Sequence, residues 1–129
     1  MRKRTIALIA ILTALLAACT EKTDYNTLLV RADSLMNLHP DSALHMLESI
    51  STDSLSTKAD RAYHALLLTQ ARDKNYMVQT DDSLIQVAVR YYDTHEDALL
   101  QARAYYYWGC VYSCLLYTSP SPRDRSLSR

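Results

Sequence analysis

Two pairs of neighbouring acidic residues have the plainest potential for chemistry. Asp81-Asp82 and Glu96-Asp97 could supply a general acid and base, a role that needs a carboxyl group with a raised pKa in a closed pocket. Adjacent residues point in different directions on a helix, and both pairs stand at predicted helix starts, where acids interact favourably with the helix dipole. We therefore expect these acids to stabilise helix ends, and we do not expect an enzyme.

Histidine and cysteine spacing predicts neither a metal site nor a bound cofactor. Four histidines lie in separate predicted elements: His39, His45, His64 and His95. They lack the His-Glu-x-x-His spacing of a metal-binding helix, so we expect them at solvent-exposed or helix-end positions. Cys110 and Cys114 are spaced for one helix face and could suggest a metal pair, but Cys114 belongs to a C-terminal segment of different character that begins after Ser113. Cys110 alone is expected to be a small buried hydrophobic residue.

The elements that must position these side chains are predicted to be helices. Gly109 is the only glycine in 129 residues, which excludes the glycine-rich loops of dinucleotide, phosphate and nucleophile-elbow sites. Pro40 is the only proline between Glu21 and Ser119, and all-β or doubly wound folds need more turn residues than this. Composition therefore predicts one all-α domain at most. Residues 19–113 hold 8 basic and 13 acidic side chains, a balance that argues against nucleic acid as a partner.

Residues 1–18 have the pattern of an export signal. Basic residues at positions 2–4 precede an apolar run from Ile6 to Ala18 that only Thr13 interrupts. A helix over residues 5–18 would cover roughly 21 Å, well short of the roughly 30 Å hydrocarbon core of a bilayer. The run Leu16-Ala17-Ala18-Cys19 resembles the lipobox of bacterial lipoproteins. The resemblance implies cleavage before Cys19 and acyl chains on its thiol and amine, so that membrane lipid is one partner of the mature chain.

The residues that follow Cys19 bear on sorting. In the lipoproteins that this segment resembles, an Asp directly after the cysteine suggests retention in the inner membrane, and Thr20-Glu21 stands there instead. This favours the outer membrane over the inner membrane. Residues 19–23 would form a short tether, and the charged residues at 21–24 are compatible with the cell surface or with the periplasmic face. The alternative is an ordinary cleaved signal peptide, in which Cys19 stands at the junction by chance.

The sequence changes character after Ser113. Residues 114–124 read Cys-Leu-Leu-Tyr-Thr-Ser-Pro-Ser-Pro-Arg-Asp and resemble the conceptual translation of a transposase adapter used in sequencing libraries. The resemblance implies that residues 114–129 are a non-native, disordered tail, and we leave them out of the prediction of fold and function. The alternative is a natural disordered Ser/Arg/Pro tail that is phosphorylated or binds nucleic acid. The spacing of Pro120 and Pro122 predicts that no helix passes through this segment.

An internal repeat is the strongest pattern between residues 24 and 113. Three segments align at offsets of 38 and 42 residues: Tyr25-x2-Leu28-Leu29-x2-Ala32, Tyr63-x2-Leu66-Leu67-x2-Gln70 and Tyr105-x2-Trp108-Gly109-x2-Tyr112. A second pattern recurs at an offset of 41 residues: Asp41-Ser42-Ala43-Leu44-x2-Leu47 and Asp82-Ser83-Leu84-Ile85-x2-Ala88. Asp-Ser supplies oxygens that can cap a helix start, so each unit is predicted to be a helix pair.

Apolar periodicity predicts five helices over the repeats: 24–38, 41–50, 56–73, 80–93 and 96–113. The first is predicted to bury the stripe Leu28, Ala32, Leu35 and Met36, and the fourth the stripe Leu84, Ile85, Ala88, Val89 and Tyr92. The last helix is apolar nearly all round and is predicted to pack on two sides. Its two opposite faces are Leu99, Ala102, Tyr106 and Cys110 on one side, and Tyr105, Trp108 and Tyr112 on the other.

The third aligned segment resembles the first helix of a tetratricopeptide repeat, which combines an aromatic, an aliphatic and a small residue with a second aromatic. Tyr105, Trp108, Gly109 and Tyr112 stand at these positions, and Gly109 takes the place of the small residue that lets a neighbouring helix approach closely. The resemblance implies a helix-turn-helix repeat fold, a tetratricopeptide-like α-solenoid of about two and a half repeats over residues 24–113.

The same resemblance has implications for the length of the repeat array and for the function of the protein. Tyr63 and Leu66 begin the motif in the second repeat, and the third repeat stops after its first helix, so residues 20–113 are expected to open a longer protein. Similar bacterial lipoproteins imply a membrane-anchored module that binds an unknown protein or peptide, and one role of such a module is the sensor part of a longer protein. The alternative is a carbohydrate-binding outer-membrane lipoprotein in which exposed Tyr and Trp stack on sugars, because the chain holds 10 Tyr.

Overall fold

Helices make up all the regular structure that the computed structural model describes, which covers residues 2–17 and 24–118. In chain order they are α1 (Arg2–Ala17), α2 (Thr27–Leu35), α3 (Pro40–Ser49), α4 (Lys58–Lys74), α5 (Ser83–Thr94) and α6 (Ala98–Thr118). A short 3-10 turn, Thr52–Ser54, lies between α3 and α4. The prediction of an all-α fold is confirmed, and each predicted helix has a counterpart with shifted ends.

The core is built around α4. Helices α2 to α6 each pack against the next helix along the chain, and α4 also contacts α2 and α6. Residues 62–71 of α4 are all buried, because neighbouring helices cover this segment on every side. Leu66 and Leu67 have no exposed surface. Full burial of a leucine side chain stabilises a fold by roughly 1.5–3 kcal/mol, so α4 contributes a large share of the folding free energy.

Local capping explains where α2 and α4 begin. Asn26 Oδ1 accepts a hydrogen bond from the Leu28 N–H at 2.9 Å, and Thr57 Oγ1 accepts one from the Asp60 N–H at 3.0 Å. Each bond satisfies a donor that has no partner inside its own helix. The Asn26 N–H in turn donates to Asp60 Oδ1 at 2.8 Å, so the start of α2 is attached to the start of α4.

The structure does not use Asp41 and Asp82 as the side-chain caps that were predicted for α3 and α5. α3 begins at Pro40, whose fixed φ suits the first helical position, so Asp41 lies in the first turn and not at the cap. Asp82 occupies the cap position of α5, but its side chain makes no capping hydrogen bond. Asp81 takes that role, because its Oδ1 accepts a hydrogen bond from the Ser83 N–H at 2.9 Å. Both helices begin near their predicted positions, α3 without a side-chain cap and α5 with the Asp81 carboxylate as acceptor.

The predicted buried stripe of α5 is confirmed, and that of α2 needs a correction. In α5, four of the predicted residues are buried and Leu84 is partly buried: Ile85, Ala88, Val89 and Tyr92 form the stripe. In α2, Leu29 joins Ala32 and Met36 in the core, whereas Leu28 is 47% exposed. The shift by one residue turns the buried face of α2 toward α3 and α4, the helices that it contacts.

The prediction that α6 packs on two opposite faces is wrong. The buried stripe consists of Leu100, Ala104, Tyr107 and Val111. At 100° per residue this stripe lies between the two predicted faces and is flanked by both. The reason is that α6 packs against α4 and α5, and within the described residues these two helices cover only one side of it.

The histidines follow the prediction with one exception. His64 is 5% exposed, and its Nε2 lies 2.9 Å from the Leu47 carbonyl oxygen. The prediction of a helix-end or solvent-exposed position is therefore wrong for His64. The hydrogen bond provides a partner for one ring nitrogen, and this allows the imidazole to be buried. His39 and His95 flank the ends of α3 and α5, and His45 is exposed.

α6 continues past Ser113 to Thr118 and so enters the segment that was predicted to be a disordered tail. Positions 114–118 hold no Pro or Gly, and Leu115 packs partly buried against the core. Thr118 is also the last residue that the structure describes. The remaining tail, residues 119–129, lies outside the described residues.

The first ten residues of α1 carry their apolar side chains at the surface. Residues 2–11 are all exposed, with Ile6 at 65% and Leu8 at 66%. Among the residues that the structure describes, no helix has the length and apolar character to span a membrane. Cys19 and the predicted tether, residues 19–23, lie outside the described residues.

Candidate functional site

A polar cluster joins α2, α4 and α6. We call Asp33, Tyr63, Gln70 and Arg103 the Asp33 cluster. Arg103 donates from Nη2 to Asp33 Oδ1 at 2.9 Å and from Nη1 to Asp33 Oδ2 at 3.2 Å. Arg103 Nη2 also donates to Gln70 Oε1 at 2.6 Å, and the Tyr63 hydroxyl donates to Asp33 Oδ2 at 2.6 Å. A two-point Arg–carboxylate pair with further hydrogen bonds holds the three helices in a fixed relation.

Electrostatics in the Asp33 cluster favour the charged forms of the ion pair. The side chains of Arg103 and Asp33 are 25% and 26% exposed. Burial alone would raise the pKa of Asp33, but the hydrogen bonds from Arg103 and Tyr63 outweigh burial and hold that pKa below its usual range. Burial would lower the pKa of Arg103, and the hydrogen bonds and charge of Asp33 raise it instead. Both groups are therefore ionised at neutral pH, with one edge of the cluster in water.

A layer of tyrosines lies beside the cluster. The ring centroids of Tyr25 and Tyr63 are 4.4 Å apart, and the Tyr25 hydroxyl oxygen lies 3.3 Å from that of Tyr92. Burial raises the pKa of Tyr63 and Tyr92, and hydrogen bonds with Asp33 and Tyr25, respectively, raise them further. These phenols stay neutral at physiological pH and act as packing and hydrogen-bonding groups.

Three aromatic residues of α6 form a second, more exposed feature. We call Tyr105, Trp108 and Tyr112 the α6 aromatic face. The Trp108 Nε1–H donates to Asp82 Oδ2 at 2.9 Å, and the Tyr105 hydroxyl donates to Asp93 Oδ1 at 2.8 Å. Tyr105 remains 45% exposed and Tyr112 58% exposed. Hydrogen bonds to Asp93 of α5 and to Asp82 at its N-cap thus hold two of these rings, of which Tyr105 is exposed and Trp108 partly buried.

The surface around Gly109 is open. No heavy atom of the described chain lies within 4 Å of a Cβ built at this glycine. The close helix approach that the repeat motif implies at this position is therefore not made within the described residues. Next to Gly109 on the surface of α6, on the side away from the α6 aromatic face, Leu99 and Tyr106 are 72% and 66% exposed. α6 thus has one buried face between two exposed ones.

The structure divides the predicted repeat-motif residues into two groups. Tyr63 and Leu66 lie in the core at 6% and 0% exposure, and Tyr63 belongs to the Asp33 cluster. The other motif residues lie on α6. Tyr105, Gly109 and Tyr112 are exposed, and Trp108 is partly exposed. Cys19, the predicted lipid attachment site, lies outside the described residues.

The acidic pairs and cysteines have local roles in the structure. Asp97 Oδ1 accepts a hydrogen bond from the Leu100 N–H at 3.0 Å near the start of α6, as Asp81 does at the start of α5. Burial raises the pKa of the Cys110 thiol, so this group is held in its protonated form. In the described part of the chain, no set of three His, Cys, Asp or Glu residues is arranged to hold a metal ion.

Sequence reasoning missed two members of the Asp33 cluster. Asp33 and Arg103 are 70 positions apart, and only the packing of α2 and α6 on α4 brings them together. A signal was present at Gln70, where a polar residue replaces the second aromatic of the aligned motif. A buried amide needs a hydrogen-bond partner, so that substitution indicates a polar neighbour from another helix.

Comparison of the chain with protein-family models, with curated proteins and with solved structures found no match.

Proposed function

We propose that the chain is a lipid-anchored module of the bacterial cell envelope whose helix pairs bind a segment of another protein. In this arrangement α2 with α3 and α4 with α5 are repeats of a tetratricopeptide-like α-solenoid, and α6 is the first helix of a third repeat. The packing order supports this, because α2, α4 and α6 contact one another in series. The Asp33 cluster also supports it, since it links the first helices of all three units.

The α6 aromatic face is the observation that carries the binding function. Tyrosine and tryptophan are enriched at protein interfaces and among their energetically dominant residues. Tyr105 and Trp108 are already held by carboxylates of α5, so little side-chain freedom is lost when a partner binds. Asp82 and Asp93 place negative charge beside the rings. We therefore expect a partner segment that combines apolar with basic side chains.

Selection from a random peptide library on the immobilised chain tests this function. We expect the Tyr105→Ala and Tyr112→Ala variants to bind the selected peptides about tenfold more weakly or worse, because truncating a dominant interface residue costs more than about 1 kcal/mol. Tyr76→Ala is the matched control, since Tyr76 is 95% exposed in the connection between α4 and α5. Selected peptides that bind both α6 variants as tightly as the unchanged chain would contradict the proposal.

Carbohydrate binding is a second candidate, favoured by the contact between an exposed ring and a carboxylate at Tyr105 and Asp93. An aromatic face packs well on the apolar C–H face of a sugar, and a carboxylate accepts hydrogen bonds from hydroxyl groups. A panel of oligosaccharides tested on the same variants separates the two functions. Sugar binding that Tyr105→Ala removes, with no enriched peptide, would favour the carbohydrate function.

The anchor rests on the run Leu16-Ala17-Ala18-Cys19. We expect a Cys19→Ser variant, expressed in a bacterium with labelled palmitate, to lose the label and leave the membrane fraction, since each buried CH₂ of an acyl chain contributes roughly 0.8 kcal/mol. Cys110→Ser is the control and should keep both. Unchanged labelling and fractionation of Cys19→Ser would contradict the anchor. Separation of inner and outer membranes then tests the proposed outer-membrane location.

A further inference from the structure

A half-open cavity of about 290 Å³ lies at the surface between the end of α4 and the start of α5. Its walls include the apolar side chains of Leu68, Met77 and Leu84 and the polar ones of Arg72, Gln79 and Asp81. This volume is close to the lower end of the range for small-molecule sites, roughly 300–1,000 Å³. No residue of α6 lines it, so it is distinct from the α6 aromatic face.

Hydrogen bonds hold the walls of the cavity in place. Gln79 is 7% exposed, and its Nε2 donates to the Thr69 carbonyl oxygen at 3.4 Å, which attaches the α4–α5 connection to α4. The Met77 N–H donates to the Arg72 carbonyl oxygen at 2.9 Å. A site whose walls are fixed in advance loses less conformational freedom when a ligand binds.

Arg72 is the unusual wall residue. Its Nε is buried and has no hydrogen-bond partner among the described residues. A buried donor of a charged group that lacks an acceptor is costly and therefore rare. Its position in the last turn of α4 lets the charge interact with the helix dipole, but the dipole supplies no acceptor to the guanidinium. A bound anion would supply an acceptor for this Nε–H.

Asp81 limits the charge of such a ligand. Its carboxylate lines the same cavity and accepts hydrogen bonds from the N–H and the hydroxyl of Ser83. These hydrogen bonds, with a smaller contribution from Arg72, lower the pKa of Asp81, so the group is charged at neutral pH. The guanidinium and the carboxylate together are neutral. Asp81 repels each negative charge that a ligand brings to Arg72, so a dianion such as phosphate is disfavoured more strongly than a monoanion.

We propose that this cavity binds a small organic monocarboxylate, with the carboxylate on the Arg72 guanidinium and a short aliphatic tail against Leu68, Met77 and Leu84. A guanidinium matches a carboxylate with two parallel hydrogen bonds, which fixes the ligand's orientation as well as its charge. The three apolar side chains provide the complementary surface for the tail. This site does not depend on the proposed peptide function, and either can fail without the other.

Calorimetric titration of the full chain with straight-chain carboxylates tests the proposal. We expect Kd values of roughly millimolar magnitude, and affinity that rises from acetate to butyrate and falls once the tail exceeds the cavity. Arg72→Gln should weaken binding about tenfold or more. Arg90→Gln is the matched control, because Arg90 carries the same charge at an exposed position of α5 and should leave binding unchanged. No binding by the unchanged chain, equal binding by Arg72→Gln, or tighter binding of phosphate would overturn the site.

A second measurement needs no variant and decides the matter if Arg72→Gln fails to fold. Val78, Thr80 and Ser83 also line the cavity, so their backbone amide signals in nuclear magnetic resonance spectra should shift when butyrate is added. Signals of α6 should stay in place. Shifts confined to α6, or no shifts at all, would overturn the proposal.

Discussion

Helices α4 and α6 carry the same spacing of aromatic and apolar residues, yet the structure places them in opposite environments. Tyr63 of α4 is 6% exposed, and Tyr105, at the aligned position of α6, is 45% exposed. Each hydroxyl donates to a carboxylate, that of Asp33 or of Asp93, so the local hydrogen bonding is alike. The difference comes from the neighbours, because α2, α3, α5 and α6 all contact α4. The aligned motif thus occurs in both helices, and the number of neighbouring helices determines whether its aromatic side chains are buried or exposed.

Of the substitutions that test this comparison, truncation of one leucine in α4 should have the largest effect on the free energy of unfolding. Leu66 has no exposed surface, so Leu66→Ala should lower the free energy of unfolding by about 2–5 kcal/mol through lost burial and the cavity left behind. Tyr112→Ala on α6 should change it by no more than about 0.5 kcal/mol, because that side chain is largely exposed. Urea unfolding followed by the fluorescence of Trp108 measures both. Equal losses would show that the two helices are not in different environments.

The Asp33 cluster offers the next largest effect, since it joins α6 to α4 through charged groups. Arg103→Gln removes the two-point pairing with Asp33 and should cost about 1–3 kcal/mol of unfolding free energy. The Asp33→Asn substitution should cost much less in the Arg103→Gln background than in the unchanged chain, because the two residues share one interaction. A double-mutant cycle in urea measures this coupling. Additive losses would mean that the ion pair contributes nothing to joining these helices.

Acid should weaken the same link. The pKa of Asp33 is lower in the folded chain than in the unfolded chain, so its stabilisation is fully present above the unfolded pKa of about 3.9 and is lost as the pH falls through the folded value. The unchanged chain should therefore lose stability more steeply than Asp33→Asn below about pH 4. Urea midpoints measured from neutral to acid pH provide the comparison. Parallel curves for the two proteins would contradict this role of Asp33.

The smallest effect is expected at the aligned tyrosine of α6. Tyr105→Phe removes one hydrogen bond to Asp93 at a solvent-exposed position, where water replaces the lost partner, and should change the unfolding free energy by less than about 0.5 kcal/mol. Tyr63→Phe should cost more, because it removes a donor from the partly buried Asp33. Urea unfolding of both variants, measured side by side, tests the difference. A larger loss at Tyr105 would reverse the comparison.

The positions of the helices could be predicted from the sequence, because apolar periodicity and turn residues are local signals. The predicted helix at 41–50 is observed as Pro40–Ser49, and the one at 56–73 as Lys58–Lys74. The buried stripe of α5 was predicted for the same reason. Its apolar residues recur at helical spacing, and polar residues on the opposite face leave one choice of orientation.

The buried face of α6 and the Asp33 cluster could not be predicted in this way. α6 is apolar nearly all round, so its sequence does not indicate which face meets α4 and α5. The Arg103–Asp33 pair depends on helix packing between distant parts of the chain. His64 was missed because its partner is a backbone carbonyl, that of Leu47, and no side-chain pattern reveals such a partner.

Oxidative footprinting with hydroxyl radicals, read by mass spectrometry, tests most directly the claim that α4 is enclosed while α6 presents a binding surface. We predict fast oxidation of Tyr105, Tyr106 and Tyr112 and slow oxidation of Tyr63 and Tyr92, as their burial in the structure requires. A peptide selected on the chain should slow oxidation at Tyr105 and Tyr112 and leave the slow group unchanged. Oxidation of Tyr63 at the rate of Tyr105, or a bound peptide that protects no tyrosine of α6, would contradict the claim.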